Sequence, residues 1–145
     1  EKGYIPYEVS NFAKADYECK HNLVYWDFNP YIGLGPSAAS FWNHRRYQHP
    51  ESLESYIADP TPKVFEAPEE NEKTLREEFI ISKLRLRNGF KISDFMTRFG
   101  AHTLESYQPV IEDLKNKEFL IQRQGRIIVT EKGIPVLDSL LLKFL

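Results

Sequence analysis

His21, Tyr25 and Trp26 stand within six residues of one another. A neutral imidazole is a good ligand for a transition metal, and the two aromatic side chains beside it can offer flat apolar contact to a large planar ligand. The structural alternative has His21 and Asn22 hydrogen-bonding a loop to its neighbours while Tyr25 and Trp26 fill a core. Residue types alone favour that alternative, because most histidines are not ligands. Cys19, two residues before His21, is a candidate thiolate ligand, although a lone cysteine is more often a small packing residue. His44 and His49 flank Arg45-Arg46, whose guanidinium forks suit carboxylates; a solvated strand end accounts for the same cluster. His102 is expected to face solvent. Gly33 and Gly35 are read first as backbone-geometry residues, since a lone Gly-x-Gly is too short for a dinucleotide fingerprint. Acid–base or nucleophilic catalysis finds no support, because no Ser, His and Asp arrangement or carboxylate pair is placed together by the sequence.

The elements that would hold these residues fall into two halves. Residues 1 to about 66 are rich in aromatics, Gly, Pro and Asn, and residues 69 to 145 are dominated by helical periodicity. In the first half the pattern predicts strands over Tyr4 to Val9, Ala38 to Trp42 and Arg45 to Gln48. A helical turn is expected near His21 to Tyr25, a glycine turn over Tyr31 to Ser37, and a short helix over Ser52 to Ala58 closed by Asp59-Pro60-Thr61-Pro62. Two or three strands cannot bury both faces alone, so this half is expected to be the remnant of a larger sheet. The opening at Glu1, with Met96 as the only methionine, fits a chain cut from a longer one.

The second half predicts one long helix over Glu69 to Arg87, with acids first and bases last as the helix dipole prefers. Ser93 is expected to cap a short helix from Asp94 to Phe99 that ends at Gly100, and a further helix spans about 103 to 117, with Pro109 kinking it or marking its true start. Strands over Phe119 to Arg123 and Arg126 to Val129 surround Gln124-Gly125, and Thr130 caps a last helix with Ile134, Leu137, Leu140, Leu141 and Phe144 on one face. Helix, short helix, helix, hairpin and closing helix is the order of a winged helix. The fold class is therefore α+β.

Composition narrows the function classes. With 145 residues, 41% apolar and 28% charged, the chain is ordinary globular material. A net charge of -2 leaves no electrostatic footprint for nucleic acid, and the third helix of the winged-helix order carries Glu105, Glu112 and Asp113 against Lys115 and Lys117. No stretch approaches the roughly 20 apolar residues of a membrane span. The single cysteine excludes an internal disulfide and any Cys-based zinc or iron–sulfur site made from this sequence alone, and a cytoplasmic setting is the default.

Three stretches carry a family resemblance: Tyr7-Glu8-Val9-Ser10-Asn11-Phe12-Ala13, His21-Asn22-Leu23-Val24-Tyr25-Trp26 and Tyr31-Ile32-Gly33-Leu34-Gly35-Pro36-Ser37-Ala38. Their succession resembles the C-terminal part of the radical S-adenosylmethionine family that contains oxygen-independent coproporphyrinogen III oxidase and the heme chaperone HemW. The Thr130-Glu131-Lys132-Gly133 turn into the last helix looks like that family's C-terminal domain. The His-Asn-x-x-Tyr-Trp hexad is the most specific item and points to the HemW branch.

The resemblance implies that residues 1–66 end an α/β barrel and 67–145 form a winged-helix-like domain. It implies a parent with a [4Fe–4S] cluster and S-adenosylmethionine, with heme as cargo or porphyrin as substrate. Partners would be the N-terminal barrel of the same protein and respiratory or heme-accepting proteins. His21, Tyr25 and Trp26 become candidate heme contacts on nearly equal terms with the structural reading, His44, Arg45, Arg46 and His49 candidate contacts to porphyrin propionates, and Gly33 and Gly35 lie near the adenosylmethionine site. This sequence departs from the family in having no Cys-x-x-x-Cys-x-x-Cys motif, so radical catalysis is not expected of it alone. The rivals are a genuine coproporphyrinogen III oxidase, which would decarboxylate propionates, and a regulatory or partner-docking winged-helix module.

Overall fold

A computed structural model describes residues 2–43, 45–64 and 72–145. It is α+β, with three small, separate sheets and no closed barrel among the described residues. Strand β1 (Ile5–Pro6) pairs antiparallel with β2 (Phe12–Ala13). Helix α1 (Lys20–Trp26) follows, and then the hairpin of β3 (Ala39–Trp42) and β4 (Arg45–Gln48), in which Trp42 faces Arg45. Helix α2 (Leu53–Ala58) starts at Ser52, whose hydroxyl accepts the Ser55 N–H, and Pro60 and Pro62 lie just beyond its end. A strand that periodicity did not reveal, β5 (Lys63–Val64), adds to the outer edge of β4.

The long helix expected over Glu69 to Arg87 runs as α3 (Glu72–Leu84); Glu69 and Glu70 lie outside the described residues. It stops short of Arg85 for a tertiary reason. Leu86 pairs with Glu8 in an antiparallel bridge and the Arg87 N–H donates to the Tyr7 carbonyl at 3.0 Å, so the chain turns extended to meet the first half. Arg85 and Arg87 therefore leave the helix end and pair with Asp138 and Glu131.

Next come β6 (Phe90–Lys91) and α4 (Ile92–Phe99), which ends at Gly100 with φ 88°. Ser93 does not cap α4. Lys91 holds the cap position, the Ile92 N–H donates to the Gly125 carbonyl at 2.9 Å, and the Ser93 hydroxyl donates to Asp94 instead. The helix expected over 103 to 117 divides into a 3-10 segment, Ala101–Tyr107, and α5 (Gln108–Asn116), so Pro109 marks a start rather than a kink.

Strands β7 (Leu120–Arg123) and β8 (Arg126–Val129) form the expected hairpin. Gln124 and Gly125 both have positive φ, 51° and 70°, as a two-residue turn between twisted strands requires. Strand β6 joins β8 on its other side, giving the order β6-β8-β7. The closing segment is a 3-10 turn Ile134–Val136, α6 (Leu137–Leu141) and a 3-10 turn Leu142–Phe144, a broken version of the one helix expected. The Thr130 hydroxyl accepts the Gly133 N–H, so it closes the turn ahead of that segment rather than the helix itself.

The core is centred on Phe79, Ile80 and Leu84 of α3, packed by Phe90, Phe95, Phe99, Ile111, Leu114, Leu120 and Ile127. Each such side chain contributes about 1.5–3 kcal/mol through burial. The same cluster takes in Phe28 and Phe41 of the first half, with the Phe28 ring 4.9 Å from Phe41 and 6.1 Å from Phe79. Two ion pairs fasten this seam: Arg46 to Glu78 and Lys83 to Asp27, each at 2.7 Å. No helix among the described residues is long and apolar enough to cross a membrane.

Candidate functional site

Helix α1 carries the whole His-Asn-x-x-Tyr-Trp hexad in its seven residues. Side chains four apart share a helix face, so the hexad contains two such pairs, His21 with Tyr25 and Asn22 with Trp26. The first pair faces out. His21 is exposed, Tyr25 is 39% exposed, and the His21 Nε2 lies 2.9 Å from the Tyr25 hydroxyl with the rings edge to face. Tyr31 continues the aromatic surface, its ring centroid 4.6 Å from that of Tyr25.

The second pair is half-buried. The Asn22 amide donates to the Tyr7 hydroxyl at 3.2 Å, and the Arg85 guanidinium lies 5.9 Å over the Trp26 ring. The two pairs thus divide by face. Asn22 and Trp26 anchor α1, whereas His21 and Tyr25 are presented to whatever approaches.

This arrangement leaves definite coordination chemistry to His21. Coordination through Nδ1 keeps the Nε2–H to Tyr25 bond, and that bond then orients the ring and raises its basicity; coordination through Nε2 displaces Tyr25. Cys19 is exposed at the N-cap of α1, contributing no side-chain cap, and its carbonyl accepts the Leu23 N–H at 3.0 Å. No group of three or more His, Cys, Asp or Glu side chains among the described residues could hold a metal ion together.

The remaining candidates separate. Gly33 is a close-approach glycine: a Cβ there would stand 2.2 Å from the Ala39 carbonyl oxygen, and its N–H donates to the Ser40 hydroxyl. Gly35 has φ 110°, with open space where a Cβ would project. His49 is not part of a solvated strand end. It is buried, with Nδ1 2.7 Å from the Pro60 carbonyl and Nε2 3.1 Å from the Gly33 carbonyl, and it stacks edge-on against Tyr56. It is a pin between the glycine turn and the end of α2. Arg45 is exposed, Arg46 is half-buried against Glu78 and the Phe41 ring, and His44 lies outside the described residues. His102 is exposed, as expected.

Sequence reasoning missed one feature of this site, a cavity of about 150 Å³ lined by Tyr25, Trp26, Tyr31, Phe41, Arg46 and Ser82 among others. It arises where α1, the β3–β4 hairpin and α3 meet, a junction of segments far apart in sequence.

Residues 71–136 match the HemN C-terminal domain family. The heme chaperone HemW of Lactococcus lactis is 32% identical over 146 residues, covering the whole chain and 38% of that protein. The heme chaperone HemW of Bacillus subtilis is 29% identical over 134 residues, covering 90% of the chain and 35% of that protein. Among solved structures, coproporphyrinogen III oxidase (HemN) from Escherichia coli, described as a radical SAM enzyme, superposes with a TM-score of 0.67 at 15% identity over 98% of this chain and 37% of that one. The chain spans a little over a third of the length of these relatives. The chain is thus similar over its length to part of the heme chaperone HemW proteins, residues 71–136 match the HemN C-terminal domain, and its fold is that of the corresponding part of HemN.

Proposed function

We propose that this chain is the heme-contacting C-terminal portion of a HemW-like protein that binds and delivers heme, with His21 as the iron ligand and Tyr25 as its orienting partner. The observation that carries this is the outward His21–Tyr25 pair, an exposed imidazole 2.9 Å from a phenol on a helix whose opposite pair is anchored. The names of the relatives support it. Trp26 acts from the buried side, and Gly33 and Gly35 shape the adjoining turn, which in the full family reading lies near the adenosylmethionine site.

The family also implies a [4Fe–4S] cluster and S-adenosylmethionine. The donors here do not fit the cluster, because three thiolates are needed and Cys19 is the single cysteine. Adenosylmethionine binds at that cluster's open iron, so no step is derived through either group. The two-unit organisation, 1–66 as the end of a barrel and 67–145 as a winged-helix-like domain, belongs to this proposal. It is supported by the separate sheets and by the family match over 71–136. The boundary falls on residues outside those described. The N-terminal barrel of the same protein and heme-accepting respiratory proteins are the partners proposed, in the cytoplasm and without nucleic acid.

The test is an optical titration of the chain and of its His21→Ala variant with hemin. A shifted Soret band in the first that diminishes in the second is expected, and identical spectra overturn the assignment. The fold shared with coproporphyrinogen III oxidase keeps one rival reading in view, oxidative decarboxylation of a porphyrinogen propionate. Robust turnover of coproporphyrinogen by a full-length protein containing this sequence would select it.

A further inference from the structure

We propose that the cavity between α1, the β3–β4 hairpin and α3 is a carboxylate subsite that takes a propionate arm of the porphyrin. This rests on the heme reading above and extends it from the iron to the ligand's edge.

The first observation is an unmet donor. Trp26 lines the cavity, and its indole Nε1 is buried with no hydrogen-bond partner among the described residues. A buried N–H without an acceptor is disfavoured, and indole nitrogen can only donate, so the group that completes it must be an acceptor. The second observation is charge. Arg46 lines the same cavity with Ser82 of α3, and its guanidinium already bonds one carboxylate, Glu78, at 2.7 Å. Arginine is suited to planar oxyanions, and an acceptor bearing negative charge gains more from both Arg46 and the indole N–H than a neutral one does.

Size then selects which part of a ligand enters. About 150 Å³ is half the lower end, roughly 300 Å³, of cavities that hold a whole small molecule. A porphyrin macrocycle is excluded, whereas a two-carbon chain ending in a carboxylate fits. Position supplies the link to iron. Tyr25 both bonds His21 on the outer face and lines the cavity, so a planar ligand held at His21 has this cavity beside its rim.

The experiment compares hemin with hemin dimethyl ester, in which both carboxylates are blocked and the iron is unchanged, on the chain and on its Trp26→Phe, Arg46→Gln and His21→Ala variants. We expect hemin to bind the chain about tenfold more tightly than the ester, the scale of a hydrogen bond to a charged group. Trp26→Phe and Arg46→Gln should each lower hemin affinity severalfold and leave ester affinity in place, while His21→Ala should weaken both. Equal binding of hemin and ester, still dependent on His21, overturns the carboxylate subsite and leaves the heme reading standing. No binding of either overturns both. Should Trp26→Phe unfold, Arg46→Gln decides alone; loss of both ligands in step would mark a packing role and overturn the proposal.

Discussion

Residues 72–145 and residues 2–64 spend their apolar side chains in opposite ways. The first of these regions turns them inward: Ile80, Leu84, Phe90, Phe95, Ile111, Leu114, Leu120 and Ile127 are essentially inaccessible, around the single helix α3. The other buries only Ala13, Phe28 and Phe41 among its described apolar residues, and displays Tyr4, Phe12, Tyr17, Ile32, Leu34 and Ile57 at 59 to 82% exposure. These side chains sit on a segment whose sheets have only two and three short strands, too few to bury both faces. The difference teaches that burial is divided unevenly along this chain. The compact region supplies the fold, and α1 is mounted on it through the Phe28–Phe79 contact and the Lys83–Asp27 and Arg46–Glu78 pairs.

The sharpest way to break this comparison is to empty its two hubs. Phe79 is 3% exposed and meets the rings of Phe28, Phe90, Phe95 and Phe99. Phe79→Ala should cost about 3–5 kcal/mol and loosen both regions. Phe28→Ala should lower amide exchange protection in α1 and β3 while α4 and α5 keep theirs. Hydrogen exchange on the two variants checks this, and protection lost equally in both regions of the Phe28 variant would abolish the division.

A smaller effect is expected from matched glycine substitutions. At Gly89 a Cβ would stand 1.8 Å from the Ile127 carbonyl oxygen and φ is 53°; at Gly33 the corresponding gap to Ala39 is 2.2 Å, at an ordinary φ. Each alanine variant should lose about 1–3 kcal/mol by overpacking. Gly89→Ala should lose the more, because it also carries left-handed strain and strikes the β6–β8 pairing of the compact region. Denaturant unfolding ranks the two.

Much of this was legible beforehand, and what was not has a common cause. Helix α1, the β3–β4 hairpin, α2 and the β7–β8 hairpin follow from local turn chemistry and side-chain period, so the sequence places them within a residue or two. Strands β5 and β6 are two residues long and exist through their partners β4 and β8, leaving no periodic trace. The early end of α3 has the same origin, since Glu8 and Tyr7 capture Leu86 and Arg87 from more than seventy residues away. Of the candidate site, the spacing of His21 and Tyr25 was readable. The burial of His49 and the cavity at Trp26 depend on which distant segments meet, which no local pattern encodes.

The smallest effect lies in the acid limb of the compact region. The hydrogen bond from Arg87, and then the charge of that guanidinium, hold the Glu131 carboxyl below its ordinary 4.5. A depressed carboxyl contributes stability that is full above about pH 4.5 and is lost as pH falls through the lower folded value. Glu131→Gln should therefore flatten the melting temperature across that acid window and leave the slope near neutrality unchanged. Melting curves from pH 7 to pH 3 measure this; an unaltered acid limb would place its origin elsewhere, Asp113 with Lys117 being the next pair to examine.

The central claim, that α1 presents His21 to heme iron, is tested most directly by nitrogen hyperfine spectroscopy of the hemin complex formed with chain carrying ¹⁵N-histidine. The account predicts an iron-coupled ¹⁵N signal that persists in His49→Gln and His102→Ala and vanishes in His21→Ala. A coupled signal that survives in His21→Ala would contradict it.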